Sequence, residues 1–354
     1  MLRKIALITG AVIIATTFGV AQQATGPYKV LKSARVGGEG GWDYIYADAD
    51  GRRLYIPRGA VAAQSVPDRV MVYNLDTLAP AGEVTGVGGH GVVVDPKTNR
   101  GFVSGKPVTM FDTKTLKTIK TIDVGTAVPD GITFDASNQR VYVFSHPTKD
   151  ATVIDAKDGN VLGRIDLGGV PEEGIADGKG MLYVVMQDND GSVTVVDVKT
   201  MKATALYPLG DKGGCNGLAL DAKNAVLFAA CARSGNPLDR TKPMMVVLSA
   251  KDGKVLANLP LAGSSDGATF NPSTMEAFSA HGNGTMTIVK ETNPTTFHVE
   301  QNLDTMNGAR TITFDSKTNR VLTMAQEFGA AGAAGGRGRG AVVPGSFTIL
   351  AVGK

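Results

Sequence analysis

The sequence predicts an all-β fold, a seven-bladed β-propeller with four-stranded antiparallel blades, and three observations support this prediction. A strand that ends in Asp or Asn recurs seven times, at intervals of 40 to 50 residues. Each interval has room for four short strands, which is the arrangement of a propeller blade. The 354-residue chain also contains 45 glycines and only 6% aromatic residues, a composition that suits short strands joined by tight turns.

The repeated unit is a strand, a polar turn and a second apolar strand, as in Gly131–Asp135 followed by Arg140–Val143. A second polar turn, such as Asp112–Leu116 or Asp155–Gly159, trails the first by about twenty residues. Continuous apolar runs such as Val193–Val196 fit strands that are packed on both faces. The seven turn residues are Asp48, Asp95, Asp135, Asp177, Asp221, Asn271 and Asp315.

The two ends of the chain predict how the ring closes. The last repeat supplies three strands and finishes with Ser346–Leu350, so it lacks a fourth strand. An unassigned strand near the N-terminus, Tyr28–Gly37, resembles the fourth strand of another repeat, Thr118–Gly125. We therefore expect the N-terminal strand to complete the seventh blade, which would leave no open sheet edge at this point.

The N-terminus reads as a secretory signal peptide. Arg3 and Lys4 precede an uncharged, mostly apolar stretch over 5–20, and small residues allow cleavage after position 21. An uncleaved anchor is the alternative, but this stretch is shorter than the roughly 20 residues of a membrane span. We expect a signal peptide at 1–21, a single propeller domain at 22–354, and a periplasmic or secreted protein without a membrane span after cleavage.

Charge argues against one class of partner. The formal net charge of +3 falls to +1 when the two basic residues of the signal peptide are removed. A nearly neutral protein lacks the basic surface typical of nucleic-acid binding, so we expect no nucleic-acid partner. We expect a monomer that presents its top face to a protein or a small molecule.

The chain has two cysteines, Cys215 and Cys231, and they flank a predicted hairpin centred near Lys223. Residues equally distant from a hairpin centre lie opposite each other on the two strands. A disulfide would suit an oxidising compartment. Two buried thiols are the alternative.

The residue before the first strand of each blade should face the top of the central channel. Aligned on the repeat, these residues are Asp43, His90, Asp130, Glu173, Asn216, Asp266 and Arg310. All seven are polar, which fits either a ligand site or a wet channel mouth. Because Arg310 and Asp43 are neighbours around the ring, we expect them to pair. That pairing would leave an acidic arc on blades 3 to 6, bordered by His90.

The connections between second and third strands vary most in length, which usually marks the binding face of a rigid scaffold. They cover 58–68, 232–243 and 327–345, and the last contains Arg337 and Arg339 in a low-complexity loop. Three histidines fall on top-face loops of separate blades, without a spacing typical of a metal motif. They are His90, His146 and His281.

The strands Leu54–Ile56, Val141–Val143 and Leu182–Val184, with the polar turns that follow, resemble those of YVTN-repeat (YncE-like) propellers. The resemblance covers roughly 28–354 and implies a seven-bladed propeller. It implies no single activity, since such propellers serve many roles.

Three functions are compatible with these features. A non-enzymatic binding or scaffold protein needs only the polar channel mouth. A calcium-dependent, lactonase-like hydrolase is the alternative, because Glu173, Asn216 and Asp266 resemble in type the calcium ligands of gluconolactonase-like propellers. Those enzymes have six blades, and their motifs are absent here. A quinoprotein-like electron-transfer role is the third, but the sequence contains no CxxCH haem motif. Whether the protein is an enzyme stays open, although the features favour a non-enzyme. We expect no cofactor for a binding protein and Ca²⁺ for the hydrolase alternative.

Overall fold

The computed structural model describes residues 26–234, 242–329 and 340–354. Their strands form seven four-stranded antiparallel sheets arranged in a ring, which confirms the predicted seven-bladed β-propeller. The predicted signal peptide and the two arginines of the blade 7 loop lie outside the described residues. Within the part of the chain described, no helix has the length and apolar character needed to cross a membrane.

Blades 1 to 3 follow chain order. Blade 1 contains β2 (Tyr46–Asp48), β3 (Arg53–Arg58), β4 (Arg69–Asn74) and β5 (Pro80–Thr85), with a short 3-10 helix at Ala62–Gln64. Blade 2 contains β6 (Val92–Asp95), β7 (Arg100–Val103), β8 (Val108–Asp112) and β9 (Thr118–Ile122). Blade 3 contains β10 (Pro129–Asp135), β11 (Arg140–Ser145), β12 (Asp150–Asp155) and β13 (Val161–Asp166).

Blades 4 to 6 repeat this order, and blade 7 combines both ends of the chain. Blade 4 contains β14 (Pro171–Ala176), β15 (Met181–Met186), β16 (Ser192–Asp197) and β17 (Lys202–Pro208). Blade 5 contains β18 (Lys212–Asp221), β19 (Val226–Ser234), β20 (Met244–Ser249) and β21 (Val255–Pro260). Blade 6 contains β22 (Ser265–Asn271), β23 (Glu276–His281), β24 (Thr285–Asn293) and β25 (Thr296–Asp304). Blade 7 contains β26 (Ile312–Asp315), β27 (Arg320–Ala325), β28 (Thr348–Gly353) and β1 (Lys29–Arg35).

Adjacent blades bury both faces of the middle strands, which explains their continuous apolar runs. On β3, Leu54 and Ile56 pack toward blade 7, in one cluster with Met324. The intervening Tyr55 packs toward blade 2, where its ring lies 5.9 Å from that of Phe111. Full burial of one such side chain contributes about 1.5–3 kcal/mol. The contacts between blades therefore provide much of the stability of the ring.

The polar residue at the end of each first strand stabilises the following turn. The carboxylate of Asp95 accepts the backbone N–H of Lys97 at 3.1 Å, and that of Asp135 accepts the N–H of Ser137 at 2.9 Å. In the first of these turns, Asn99 adopts a left-handed φ of 58°. Asp and Asn suit these positions because their side chains cap the backbone two residues later.

The ring closes as predicted, because β1 pairs antiparallel with β28 and completes blade 7. Tyr28, just before β1, fastens this strand to blade 6. Its hydroxyl donates to the Glu276 carboxylate, and its ring packs edge-on against Phe278 with centroids 5.2 Å apart. Its backbone N–H donates to the side chain of Gln301 at 2.9 Å.

Cys215 on β18 and Cys231 on β19 are direct partners in the register of blade 5. Their sulfur atoms are joined in a disulfide, and both side chains are buried. The bond links two strands that are already hydrogen-bonded neighbours.

We predict that Tyr28→Ala lowers the free energy of unfolding by about 3 kcal/mol, because a buried aromatic contact at the closure is lost. Val30→Ala on the exposed side of β1 is the matched control, with an expected change of about 0.5 kcal/mol or less. Chemical denaturation of both variants measures the difference. Equal unfolding midpoints for the two would contradict an anchoring role for Tyr28.

We predict that reduction of the disulfide lowers the free energy of unfolding by about 3 kcal/mol, the value expected for a closed loop of about 15 residues. Thermal unfolding with and without reductant measures the effect. The double variant Cys215→Ala/Cys231→Ala should melt at the same temperature under both conditions. Two free thiols in the unfolded, non-reduced parent protein would rule the disulfide out.

Candidate functional site

The polar positions predicted at the channel mouth fall into two groups in the structure. Asp43, His90 and Asp130 are in contact with one another on blades 1 to 3. Contacts also connect the positions on blades 5 to 7, which are Asn216, Asp266 and Arg310. Glu173, assigned to blade 4 by the alignment, belongs to neither group.

The alignment of blade 4 was wrong by one residue. In the other blades the mouth residue lies five positions before the turn residue, and five positions before Asp177 is Glu172. The pair Gly174-Ile175 resembles Gly131-Ile132 of blade 3. Matching these two pairs places Glu173, one residue too late, opposite Asp130. The side chain of Glu173 instead lines the channel, where it accepts backbone N–H groups of blades 5 and 6. These donors are Leu218 at 2.7 Å and Ala268 at 3.2 Å.

Glu172 completes a continuous row of carboxylates and imidazoles across blades 1 to 4. His90 Nδ1 lies 2.9 Å from Asp43 Oδ2 and 3.1 Å from Asp130 Oδ1. His146 Nε2 lies 2.7 Å from Asp130 Oδ2 and 3.7 Å from Glu172 Oε1. Acids and imidazoles therefore alternate, and the carboxylate of Asp130 joins the two histidines. We call these five residues the acid–imidazole row.

Two further side chains hold Glu172 in place, and neither of them is among the seven predicted positions of the channel mouth. The hydroxyl of Tyr44 donates to Glu172 Oε2, and the amide of Gln187 donates to Oε1 at 2.6 Å. His146 is predicted from the sequence as a top-face histidine on a different blade from His90. It follows Ser145, the last residue of β11, at the start of the connection to β12.

Burial and mutual contact shift the pKa values along this row. Burial raises the pKa of Asp43, although the hydrogen bond from His90 acts in the opposite direction. Burial raises the pKa of Glu172 to about 8, although the hydrogen bond from Tyr44 lowers it. Hydrogen bonds to Asp43 and Asp130 raise the pKa values of His90 and His146, respectively. The row therefore contains groups that gain and lose protons near neutral pH.

On the opposite side of the mouth the charges are neutralised within the protein. Arg310 Nε pairs with Asp266 Oδ2 at 2.9 Å, and the amide of Asn216 donates to Asp266 Oδ1 at 3.0 Å. The expected pairing of Arg310 with Asp43 is therefore wrong. The predicted position of the acidic arc is also wrong. In the ranges that the structure describes, the mouth carboxylates without an arginine partner lie on blades 1 to 4, where their partners are imidazoles, a hydroxyl and an amide.

The three side chains expected to bind calcium do not form a shared set of free ligands. Both oxygens of Asp266 are used by Arg310 and Asn216, and an oxygen of Glu173 is used by two backbone amides. Burial raises the pKa of Glu173 to about 8, as it does that of Glu172 in the row. Among the residues described, the clusters of acids and histidines able to hold a metal involve other side chains.

His281, the third top-face histidine, is buried at the end of β23. Its ring nitrogens contact the hydroxyls of Thr285 at 2.9 Å and Ser279 at 3.2 Å. Burial lowers its pKa to about 4, so the ring is neutral at physiological pH.

Two cavities adjoin the acid–imidazole row. A cleft of about 840 Å³ lies over blades 1 to 3, and its lining includes Trp42, Asp43, His90, Lys106 and Arg310. A second cavity, of about 270 Å³, occupies the channel below the mouth. Polar and apolar atoms contribute about equally to the lining of this second cavity, which includes Glu173. The row therefore lies between an open cleft and a narrower channel.

We predict that His281 makes stability depend on pH. Its pKa falls from about 6.5 in the unfolded chain to about 4 in the fold, so between these values the unfolded chain binds more protons. This contribution rises with pH and should be about 2 kcal/mol smaller at pH 5 than at pH 7. His281→Gln should remove it, whereas His298→Gln, at an exposed site, should not. Denaturant titrations at both pH values test this, and parallel pH profiles for the parent and His281→Gln would contradict it.

Comparisons with known proteins establish the fold. No family model and no curated protein sequence matches the chain. Hydrazine synthase of Kuenenia stuttgartiensis is similar in structure, with a TM-score of 0.68, 16% identity, and coverage of 82% of this chain and 94% of that chain. The WD40 repeats of RRP9 are similar with a TM-score of 0.70 and 10% identity, and the match covers 94% of this chain and 100% of that chain. U3-55K is similar with a TM-score of 0.69 and 9% identity, and the match covers 92% of this chain and 98% of that chain. At these identities the similarity shows the seven-bladed β-propeller fold alone.

Proposed function

We propose that this chain is an exported, monomeric binding protein of the YVTN-repeat type that holds a small polar ligand at its channel mouth. The repeated strand and turn motifs support the family assignment. The basic and apolar N-terminal segment supports export, and the disulfide of blade 5 is compatible with an oxidising compartment. The fold itself is compatible with a binding or scaffold role.

One observation supports the binding site above all others: the cleft over blades 1 to 3 opens onto one end of the acid–imidazole row, at Asp43 and His90. Its volume of about 840 Å³ falls in the range of small-molecule sites, roughly 300–1,000 Å³. Its lining combines an aromatic ring, two cationic side chains, two carboxylates and an imidazole. Such convergent polar groups can orient a small polar molecule, and a concave site of this size favours one over a flat protein partner.

Glycines give the cleft a wall of closely packed backbone. A Cβ atom at Gly105 would lie 2.0 Å from the carbonyl oxygen of Gly88, and one at Gly89 would lie 2.9 Å from the backbone of Gly105. The two loops therefore approach each other as closely as they do because neither carries a side chain there. A wall fixed in this way is pre-organised, which reduces the entropy lost on ligand binding.

The calcium-dependent hydrolase has less support. An oxygen of Glu173 and both oxygens of Asp266 are already held by other protein groups, so calcium at these positions would have to displace existing contacts. We therefore propose binding, and not lactone hydrolysis, as the function of this face.

The only tryptophan of the chain, Trp42, lines the cleft and provides a direct test. We expect at least one compound in a panel of amino acids, organic acids, amines and sugars to change its fluorescence with saturation. The titrations are made in the presence of a chelator, so that metal ions play no part. Gly41→Leu, at a cleft position with open space for a side chain, should weaken binding at least tenfold.

Gly282→Leu is the matched control, because Gly282 also has open space and lies on a loop of blade 6. Its affinity should equal that of the parent protein. Absence of any saturable response, or equal losses in the two leucine variants, would contradict a ligand site in this cleft.

A further inference from the structure

We propose that the channel mouth binds a pair of divalent transition-metal ions bridged by the carboxylate of Asp130. This inference rests on the proposed binding function and names a ligand class for the same mouth. The acid–imidazole row contains two overlapping groups of potential ligands, and the ligand atoms within each group lie within 4.8 Å of one another. The groups are Asp43, His90 and Asp130, and Asp130, His146 and Glu172.

Asp130 is placed to act as the bridge because its two oxygens face different histidines. Oδ1 lies 3.1 Å from His90 Nδ1, and Oδ2 lies 2.7 Å from His146 Nε2. Each group then contributes one imidazole nitrogen and two carboxylate oxygens. In a tetrahedral site with bonds of about 2.0 Å, ligand atoms lie about 3.3 Å apart. Three of the four nitrogen–oxygen distances along the row are 2.7–3.1 Å, so small shifts would suffice to admit the ions.

With Asp43 and Asp130 both ionised, a single proton on the imidazole leaves this arrangement incompletely satisfied. His90 Nδ1 carries at most one hydrogen but faces two carboxylate oxygens. Its hydrogen bond goes to Asp43, and Oδ1 of Asp130 is buried without a hydrogen-bond donor. A buried carboxylate oxygen without a donor is costly. A cation between the imidazole and the two carboxylates would compensate both oxygens at once.

The second histidine has the same relation to its neighbours. His146 Nε2 faces a carboxylate oxygen of Asp130 on one side and one of Glu172 on the other. The hydroxyl of Tyr44 orients Glu172 from its other carboxylate oxygen. Such outer partners are typical of metal sites, where they orient the carboxylate ligands. The amide of Gln187 contacts both Glu172 Oε1, at 2.6 Å, and His146 Nε2, at 3.1 Å, so it would have to turn away from the imidazole nitrogen when an ion binds there.

The ligand types favour transition metals over calcium. Imidazole suits zinc, iron and copper, whereas carboxylates also accept manganese, so a mixed set fits Zn²⁺ or Mn²⁺. Ca²⁺ prefers six to eight oxygen ligands and gains little from imidazole. With three protein ligands per ion, further coordination positions stay available to water or to a molecule in the cleft.

The test uses the full chain after removal of metal with a chelator and desalting. Isothermal titration with Zn²⁺, and separately with Mn²⁺, should give two equivalents per chain, while Ca²⁺ should bind at least tenfold more weakly. Electron paramagnetic resonance of the Mn²⁺-loaded protein should show a spin-coupled pair. His90→Gln should leave one equivalent and the spectrum of an isolated Mn²⁺ ion.

Asp130→Asn should weaken both equivalents at least tenfold, because the bridge is shared. Asp266→Asn is the matched control, since it removes a mouth carboxylate outside the row and should leave two equivalents. Thermal unfolding in chelator shows whether each variant folds. Fewer than two equivalents in the parent, or two undiminished equivalents in folded Asp130→Asn, would overturn the proposal. The fluorescence test of the cleft is made in chelator, so its outcome is independent of this one.

Discussion

Closure of the ring is the constraint on which the rest of the structure depends, because seven first strands converge on one channel only if the sheet on the last blade is completed. The closure also positions the site directly. Trp42, next to Asp43, packs against Phe347 of blade 7 with ring centroids 5.0 Å apart. The guanidinium of Arg58 lies 3.7 Å from the centroid of the same Phe347 ring. The first carboxylate of the acid–imidazole row is thus held by the seam where the chain ends meet.

The pseudo-sevenfold fold carries a strongly asymmetric mouth. On blades 5 to 7, an arginine and an amide use both oxygens of Asp266, so its charge is compensated within the protein. On blades 1 to 4, three carboxylates share two imidazoles, one tyrosine hydroxyl and one amide. With both imidazoles protonated and Glu172 neutral, as its pKa of about 8 favours at pH 7, the row carries no net charge. Loss of a proton from an imidazole or from Glu172 makes it negative. The repeat provides equivalent positions, and the side chains at them decide which blades can bind a cation.

The sequence predicted the fold well because the repeat is a local pattern: apolar strands, Asp or Asn turns and a missing last strand are all read from neighbouring residues. Six of the seven mouth positions were also counted correctly from the turn residues. The site was harder to predict, because its contacts cross between blades. Glu172 was missed by one position. The contacts of His146 and Gln187 depend on where two loops of blades 3 and 4 meet, which no spacing within one repeat reveals. The repeat also does not reveal whether the side chain of Arg310 points toward Asp266 of blade 6 or Asp43 of blade 1.

The acid–imidazole row lies between two different cavities, and this location determines how strongly its groups interact with a charged ligand. Below the row, side chains such as Ile132 and Leu218 line a channel with less room for water than the cleft, which lowers the effective dielectric constant. Electrostatic interactions are stronger in such surroundings, and an uncompensated charge there is more costly. Above the row, the cleft leaves Asp43 and His90 accessible from solvent. A cation or a positively charged group entering from the cleft would therefore find its strongest attraction at the row, where protein donors compensate the carboxylates least.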